Sequence, residues 1–202
     1  MKEAIVTYQS GNVDWSQIPV LDIAEAVRPS DAQISARAQI CYTEDALMLH
    51  FSATEQHIRR EEKGQLGLPF QDSCMEFFIR PMAEDMRYFN FEFSASGCML
   101  LGFGHMQGRF RQICSEEQRQ AVFAPEIQMT PEGWDLYFRV PYTFLQTYFP
   151  EFRAEPGKII RANFYKCGDL TPKAHYLAWN MITRKGERLF HTPAEFGQLT
   201  FA

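Results

Sequence analysis

The sequence predicts an all-β fold: a two-sheet antiparallel β-sandwich of jelly-roll or immunoglobulin-like kind, with one or two short helices. Three observations predict it. Short segments in which apolar and polar residues alternate recur along the whole chain, as half-buried strands require. Turn-forming residues separate them, as at Asp45-Ala46, Ser96-Gly97 and Pro131-Glu132-Gly133. Long helical periodicity is nearly absent, so strand faces must be buried against other strands.

The elements follow in order. Glu3–Tyr8 reads as a first strand, and Trp15–Leu21 as a packed irregular connection with Trp15 in the core. Residues 35–43 alternate through Ala36, Ala38, Ile40 and Tyr42; after the turn, Leu47, Leu49, Phe51 and Ala53 alternate back, which makes a hairpin. The charged, Gly-bearing stretch 54–68 reads as a solvated loop. Strands are predicted at 73–80, 88–94 and 98–103, the last pairing back on its predecessor. Residues 105–124 read as polar and irregular, with a short helix near 116–120. A second hairpin joins 126–130 to 134–140, with Trp134, Leu136, Phe138 and Val140 on one face. Pro141–Leu145 can open a short helix. Residues 158–167 and 174–179 are further strands, and Gln198–Phe201 closes the chain as a half-buried strand.

Length and composition are those of one domain spanning residues 1–202, with 18 phenylalanines available for a substantial core. The net charge of −5 gives no footprint for nucleic acid, and no polybasic patch or apolar run of transmembrane length points to a membrane. The N-terminus lacks the apolar core of a signal peptide. The protein is therefore expected in the cytoplasm if the chain is complete, and secreted or periplasmic if a leader was removed. Five widely spaced cysteines (41, 74, 98, 114 and 167) show no zinc or disulfide pattern and read as small buried hydrophobes.

Alternation also assigns faces. With Met75, Phe77 and Ile79 inward, Glu76 and Phe78 point outward. With Phe89, Phe91 and Phe93 inward, Tyr88, Asn90, Glu92 and Ser94 point outward. With Ile160, Ala162 and Phe164 inward, Arg161, Asn163 and Tyr165 point outward. On one shared sheet these would make a face of carboxylates, amides, an arginine and phenols, the inventory that hydrogen-bonds sugar hydroxyls. Phe70 precedes the strand that bears Glu76. Phe190 and His191 precede the Pro193 turn and Gly197, which is expected to supply an unusual backbone conformation. Two rings reached from different loops can clamp a sugar. A polar outer face is also what any half-exposed sheet carries, and loop phenylalanines can be anchors over the core.

The segments Pro69–Ile79, Tyr88–Phe93, Gly133–Pro141, Arg161–Lys166, His175–Trp179 and the closing Pro-x-x-Phe-Gly-x-Leu, in this order, resemble family 9 carbohydrate-binding modules and the related DOMON-type sandwich domains. The resemblance implies a non-catalytic sandwich that binds a mono- or oligosaccharide. Two tryptophans stack on the sugar in well-known members; here the matching residues are Phe70 and Phe190. Glu76 matches a sugar-bonding carboxylate, Glu92 stands where binders carry a basic residue, and Tyr165 stands at a polar contact position. The expected site is Phe70 and Phe190 on the ring faces, with Glu76, Glu92, Asn163 and Tyr165 on the hydroxyls and Arg161 and His191 at the rim. No cofactor is expected, although some members carry structural calcium, for which no ligands are assigned. Trp179 reads as core or as a third wall. Three rivals stay open: a glycoside hydrolase-like enzyme using Glu76 and Glu92; a haem-binding sandwich, in which the adjacent His105 and Met106 can hardly both ligate one iron from opposite faces and His191 and Met181 remain as partners; and a structural sandwich with a decayed site.

Overall fold

The computed structural model describes residues 1–105, 108–184, 186 and 189–202, with the backbone alone at 108 and 109. The strands are β1 (Glu3–Tyr8), β2 (Leu21–Asp22), β3 (Glu25–Ala26), β4 (Ile34–Tyr42), β5 (Ala46–Glu55), β6 (Cys74–Arg80), β7 (Tyr88–Ser94), β8 (Met99–His105), β9 (Gly108–Gln112), β10 (Glu126–Met129), β11 (Gly133–Pro141), β12 (Ile159–Gly168), β13 (His175–Ala178) and β14 (Gly197–Phe201). Two helices interrupt them, α1 (Glu116–Phe123) and α2 (Tyr142–Tyr148). A capping box starts α1: the Ser115 hydroxyl accepts from the Gln118 backbone N–H, and the Gln118 side chain accepts from the Ser115 N–H.

The all-β expectation holds, but the sheet is not the separate antiparallel pair that alternation suggested. The strands form one hydrogen-bonded path in the order β10-β11-β5-β4-β1-β14-β12-β6-β7-β8-β9. The path is mixed. The first four residues of β1 pair parallel with β14 and its last two pair parallel with β4. The two arms curl over one another, and phenylalanines meet between them: Phe51 with Phe164 (centroids 5.8 Å apart), and Phe138 with Phe93 (4.7 Å) and Phe91 (6.1 Å). Each fully buried phenylalanine contributes about 2–3 kcal/mol of burial free energy, so this aromatic layer is the main force holding the arms together.

The predicted hairpins form in register, Tyr42 opposite Leu47 and Met129 opposite Trp134. The strand β9 was not expected. It ends the path beside β8, and its Arg111 donates to the backbone carbonyls of Gln65, Leu66 and Gly67. All nine side chains assigned inward on β6, β7 and β12 lie in the main core. Trp134 is buried there and its indole N–H donates to Glu55 (2.6 Å). Trp179 is also core, edge-on to Phe164. Trp15 is not: it is half-exposed, against His50 and Tyr137 on the outer side of the β5–β11 arm. Lys166 continues the inward set of β12 and is fully buried, paired with Glu55 at 3.2 Å. This buried pair ties β12 to β5 at one end of the core.

Candidate functional site

β6 lies between β12 and β7, and the register sets the side chains of the outer face in rows. Tyr165, Glu76 and Glu92 form one row, Asn163, Phe78 and Asn90 the next, and Cys167, Cys74 and Ser94 the row on the other side. Sequence parity therefore brought Glu76, Glu92, Asn163 and Tyr165 onto one face correctly. The face is not solvated, however. Glu76 and Glu92 are 3% and 4% exposed, and Asn163 and Tyr165 are fully buried.

A second apolar cluster covers the face. Phe78, Tyr88, Tyr165 and Cys167 rise from the strands; Ile182, Leu189, Phe190 and Phe196 come down from the segment before β14, and Phe70 packs at its margin. Phe70 stands in a 3-10 turn, Pro69–Gln71. The loop leading to it is pinned by buried Asp72, which pairs with Arg59 and accepts from the backbone N–H groups of Glu61 and Glu62. Phe190 lies flat on Tyr165 (centroids 4.1 Å, 10° between planes), and its carbonyl accepts from the Tyr165 hydroxyl at 3.1 Å. The structure thus brings both phenylalanines to the same patch, Phe70 half-buried and Phe190 8% exposed.

The remaining residues divide. Asn163 is committed to the chain: its amide accepts from the N–H of Asn180 and Phe164 and donates to the Asn180 carbonyl. It clamps the covering segment. The His191 ring is 2.8 Å from the Tyr88 hydroxyl, at the edge of the patch. Arg161 is two rows along β12 from Tyr165 and reaches the Met1 sulfur. The Pro193 turn forms, held by Arg80 on its carbonyl (3.0 Å). Gly197 serves by size and not by conformation, because a Cβ there would overlap the Trp179 ring. Of the haem candidates, Met181 is exposed and His191 meets Tyr88; Met106 lies outside the described residues.

Two groups singled out by the geometry were not assigned to the site from sequence. Asn90 donates to Glu92 (2.7 Å), in space left by Gly102, where a Cβ would overlap the Asn90 amide. The Cys167 thiol donates to Glu76 (3.0 Å), with Cys74 directly across the strand. The parity that found Glu76 also puts both cysteines on its face. Burial, then the Cys167 thiol and the Glu92 carboxylate, push Glu76 well above the usual carboxyl range. Burial thus favours the protonated form of Glu76, which can donate as well as accept. Among the described residues, Cys74, Glu76 and Cys167 are the one cluster of three metal-ligating groups. Two thiols and one carboxyl do not fit calcium, which takes six to eight oxygens.

The family model for carbohydrate-binding family 9 matches residues 6–201. A crystal structure from Bacteroides uniformis ATCC 8492, of a protein proposed to bind carbohydrate, is similar over 100% of this chain and 99% of its own, with 25% identity and a TM-score of 0.83. A family 9 module from Caldicellulosiruptor kristjanssonii in complex with glucose shares the fold at 12% identity and TM-score 0.67, covering 100% of this chain and 96% of that one. Its counterpart in complex with cellotriose does so at 13% and 0.63, covering 99% and 93%. No curated protein matches. The match runs from β1 to β14, across the rows that carry Glu76 and Glu92 and through the segment that carries Phe190, and this chain belongs to carbohydrate-binding family 9.

Proposed function

We propose that the chain is a non-catalytic module that binds a neutral mono- or oligosaccharide over the Glu76–Glu92 patch, with Phe70 and Phe190 as its ring platforms. On this reading the curled arms act as a two-sheet sandwich, with β1 as the stitch between them. One observation carries the proposal. Two carboxyls, that of Glu76 with its pKa raised by burial, and an amide converge in neighbouring rows beneath aromatic side chains from two separate loops. Such a set donates to and accepts from adjacent hydroxyls while the rings take the C–H face of the sugar. The bound glucose and cellotriose of two similarly folded modules support the same ligand class.

Because Phe190 rests on Tyr165, a sugar enters when the segment carrying Phe190 lifts its ring, and Phe70 forms the second wall. Tyr165 and Asn163 position these parts; His191 and Arg161 stand at the rim. Glu76 and Glu92 lie side by side on one face. Glycoside hydrolysis needs carboxyls that flank the scissile bond, so binding without cleavage is the better reading. Isothermal titration with glucose and cellotriose tests it. Wild type is expected to give saturable heat, with affinity about tenfold weaker in Phe70→Ala, and no reducing sugar is expected to be released. Absence of heat with every mono- and oligosaccharide tried would sink the proposal.

A further inference from the structure

The outer face of the opposite arm carries an open groove of about 530 Å³, within the usual size range of ligand sites. Its floor includes Met48 of β5 and Tyr137 and Arg139 of β11, Arg139 directly opposite Met48. Its walls are the Gly11–Trp15 loop, the β4–β5 turn with Glu44 and Asp45, and the junction of α1 with β10 at Ala124 and Glu126. We propose that this groove is a second binding site for a neutral oligosaccharide, separated from the Phe70–Phe190 patch by the core and independent of it.

Three features argue for it. The first is an aromatic platform. Tyr137 and His50 stack at 4.3 Å, and Trp15 leans over both, its ring centroid 6.0 Å from Tyr137 and 5.4 Å from His50. Half-exposed indole and phenol rings beside one another offer the apolar surface that sugar C–H faces pack on.

The second is that the platform is built in advance. Asp14 caps the turn that carries Trp15, accepting from the Ser16 N–H (3.0 Å). The Gln39 amide donates to the Trp15 and Ile18 carbonyls (2.7 and 2.8 Å), which leaves its oxygen to accept from His50 Nδ1 (2.8 Å). Asp135 meets the other ring nitrogen at 3.2 Å. One chain of polar contacts thus runs from β11 across β5 and β4 to the Trp15 backbone, and preorganisation of this kind lowers the cost of binding.

The third is the charge and chemistry of the walls. Glu44, Asp45 and Glu126 outnumber Arg139, which disfavours phosphates and acidic sugars, while carboxylates and the Asn12 amide suit neutral hydroxyls. At the same wall, Ala124 holds a left-handed backbone (φ 42°), the one non-glycine residue with positive φ among those described. This conformation ends α1, the Ala124 N–H donating to the Gln120 carbonyl, and sets the turn into β10 at the groove wall.

Trp15 supplies the test. The other two tryptophans, Trp134 and Trp179, are 0% and 3% exposed, so quenching of tryptophan emission by acrylamide reports on Trp15. Wild type, Phe70→Ala and Tyr137→Ala are each titrated with cellotriose, xylotriose, mannotriose and maltotriose. At least one trisaccharide is expected to shield Trp15 in wild type and equally in Phe70→Ala, with affinity about tenfold weaker in Tyr137→Ala. Trp15→Phe identifies the signal by removing it. If no trisaccharide shields Trp15, the groove proposal is overturned while heat from the first site can persist. Shielding abolished by Phe70→Ala would also overturn it, by reducing the two sites to one.

Discussion

Acidification should destabilise the fold through His175, a residue far in chemistry from any ligand. His175 is 1% exposed, and its Nε2 is 2.9 Å from the Lys166 ammonium. An ammonium has no lone pair, so it donates and Nε2 accepts; the ring proton sits on Nδ1, 3.0 Å from the Lys173 carbonyl. Protonating Nε2 would aim a second N–H at a cation. Burial, and after it the Lys166 charge, lower the His175 pKa from 6.5 to about 4. The unfolded chain therefore takes up the proton first. The stabilisation is whole above the unfolded value of 6.5 and is lost as pH falls toward about 4. At about 1.4 kcal/mol per unit the loss amounts to roughly 3 kcal/mol, a large part of the 5–15 kcal/mol typical of a domain. Other carboxyls titrate in the same range, so the measurement is a difference. Urea unfolding of wild type and His175→Gln is followed between pH 7 and pH 4.5. The glutamine oxygen can accept from Lys166 and does not titrate, so the variant should show the shallower decline. Parallel declines in the two proteins would refute the reasoning.

Three further substitutions probe the buried carboxyls and the space around them. Glu76→Gln should be tolerated at pH 7 and Glu55→Gln should not. Burial raises the Glu76 pKa, so its contribution is present below its unfolded value and is lost as pH rises, and glutamine should gain on wild type toward higher pH. Glu55 is the partner of buried Lys166 and accepts from Trp134, so its loss strands a charge at a cost of about 3–5 kcal/mol in chemical denaturation. Gly102→Ala should cost about 1–3 kcal/mol by displacing the Asn90 amide, and sugar titration should weaken with it because Asn90 orients Glu92; unchanged affinity would show that Asn90 is only packing.

Strand faces were legible because they depend on local parity. Once Phe77 is inward, Glu76 cannot be, and the same rule held for nine residues on three strands. Position in the sheet was not legible. Val6 is buried and Ile5 is half-exposed, a pattern equally compatible with an edge strand, and nothing in six residues says that β1 pairs parallel with two partners. What covers a face is also invisible to parity. The outward residues of β6, β7 and β12 looked solvated because they are polar. The segment that buries them reads as loop, and its apolar residues, Ile182, Leu189, Phe190 and Phe196, follow no period. Trp15 failed in the opposite sense: a large aromatic in an irregular connection suggests core, yet it leans on the outer side of a sheet.

The parallel union of β1 with β14 has a kinetic corollary. Ala4 sits beside Leu199 and Val6 beside Phe201, and the Ala202 N–H reaches back to the Val6 carbonyl (3.0 Å). The seam between the arms is thus made by segments almost two hundred positions apart in the polymer. Contacts of such separation form late and slowly. Until β14 has been synthesised the two halves cannot be zipped together, and the flanks of β1 and β12 that it covers are open to pairing with a neighbouring nascent chain.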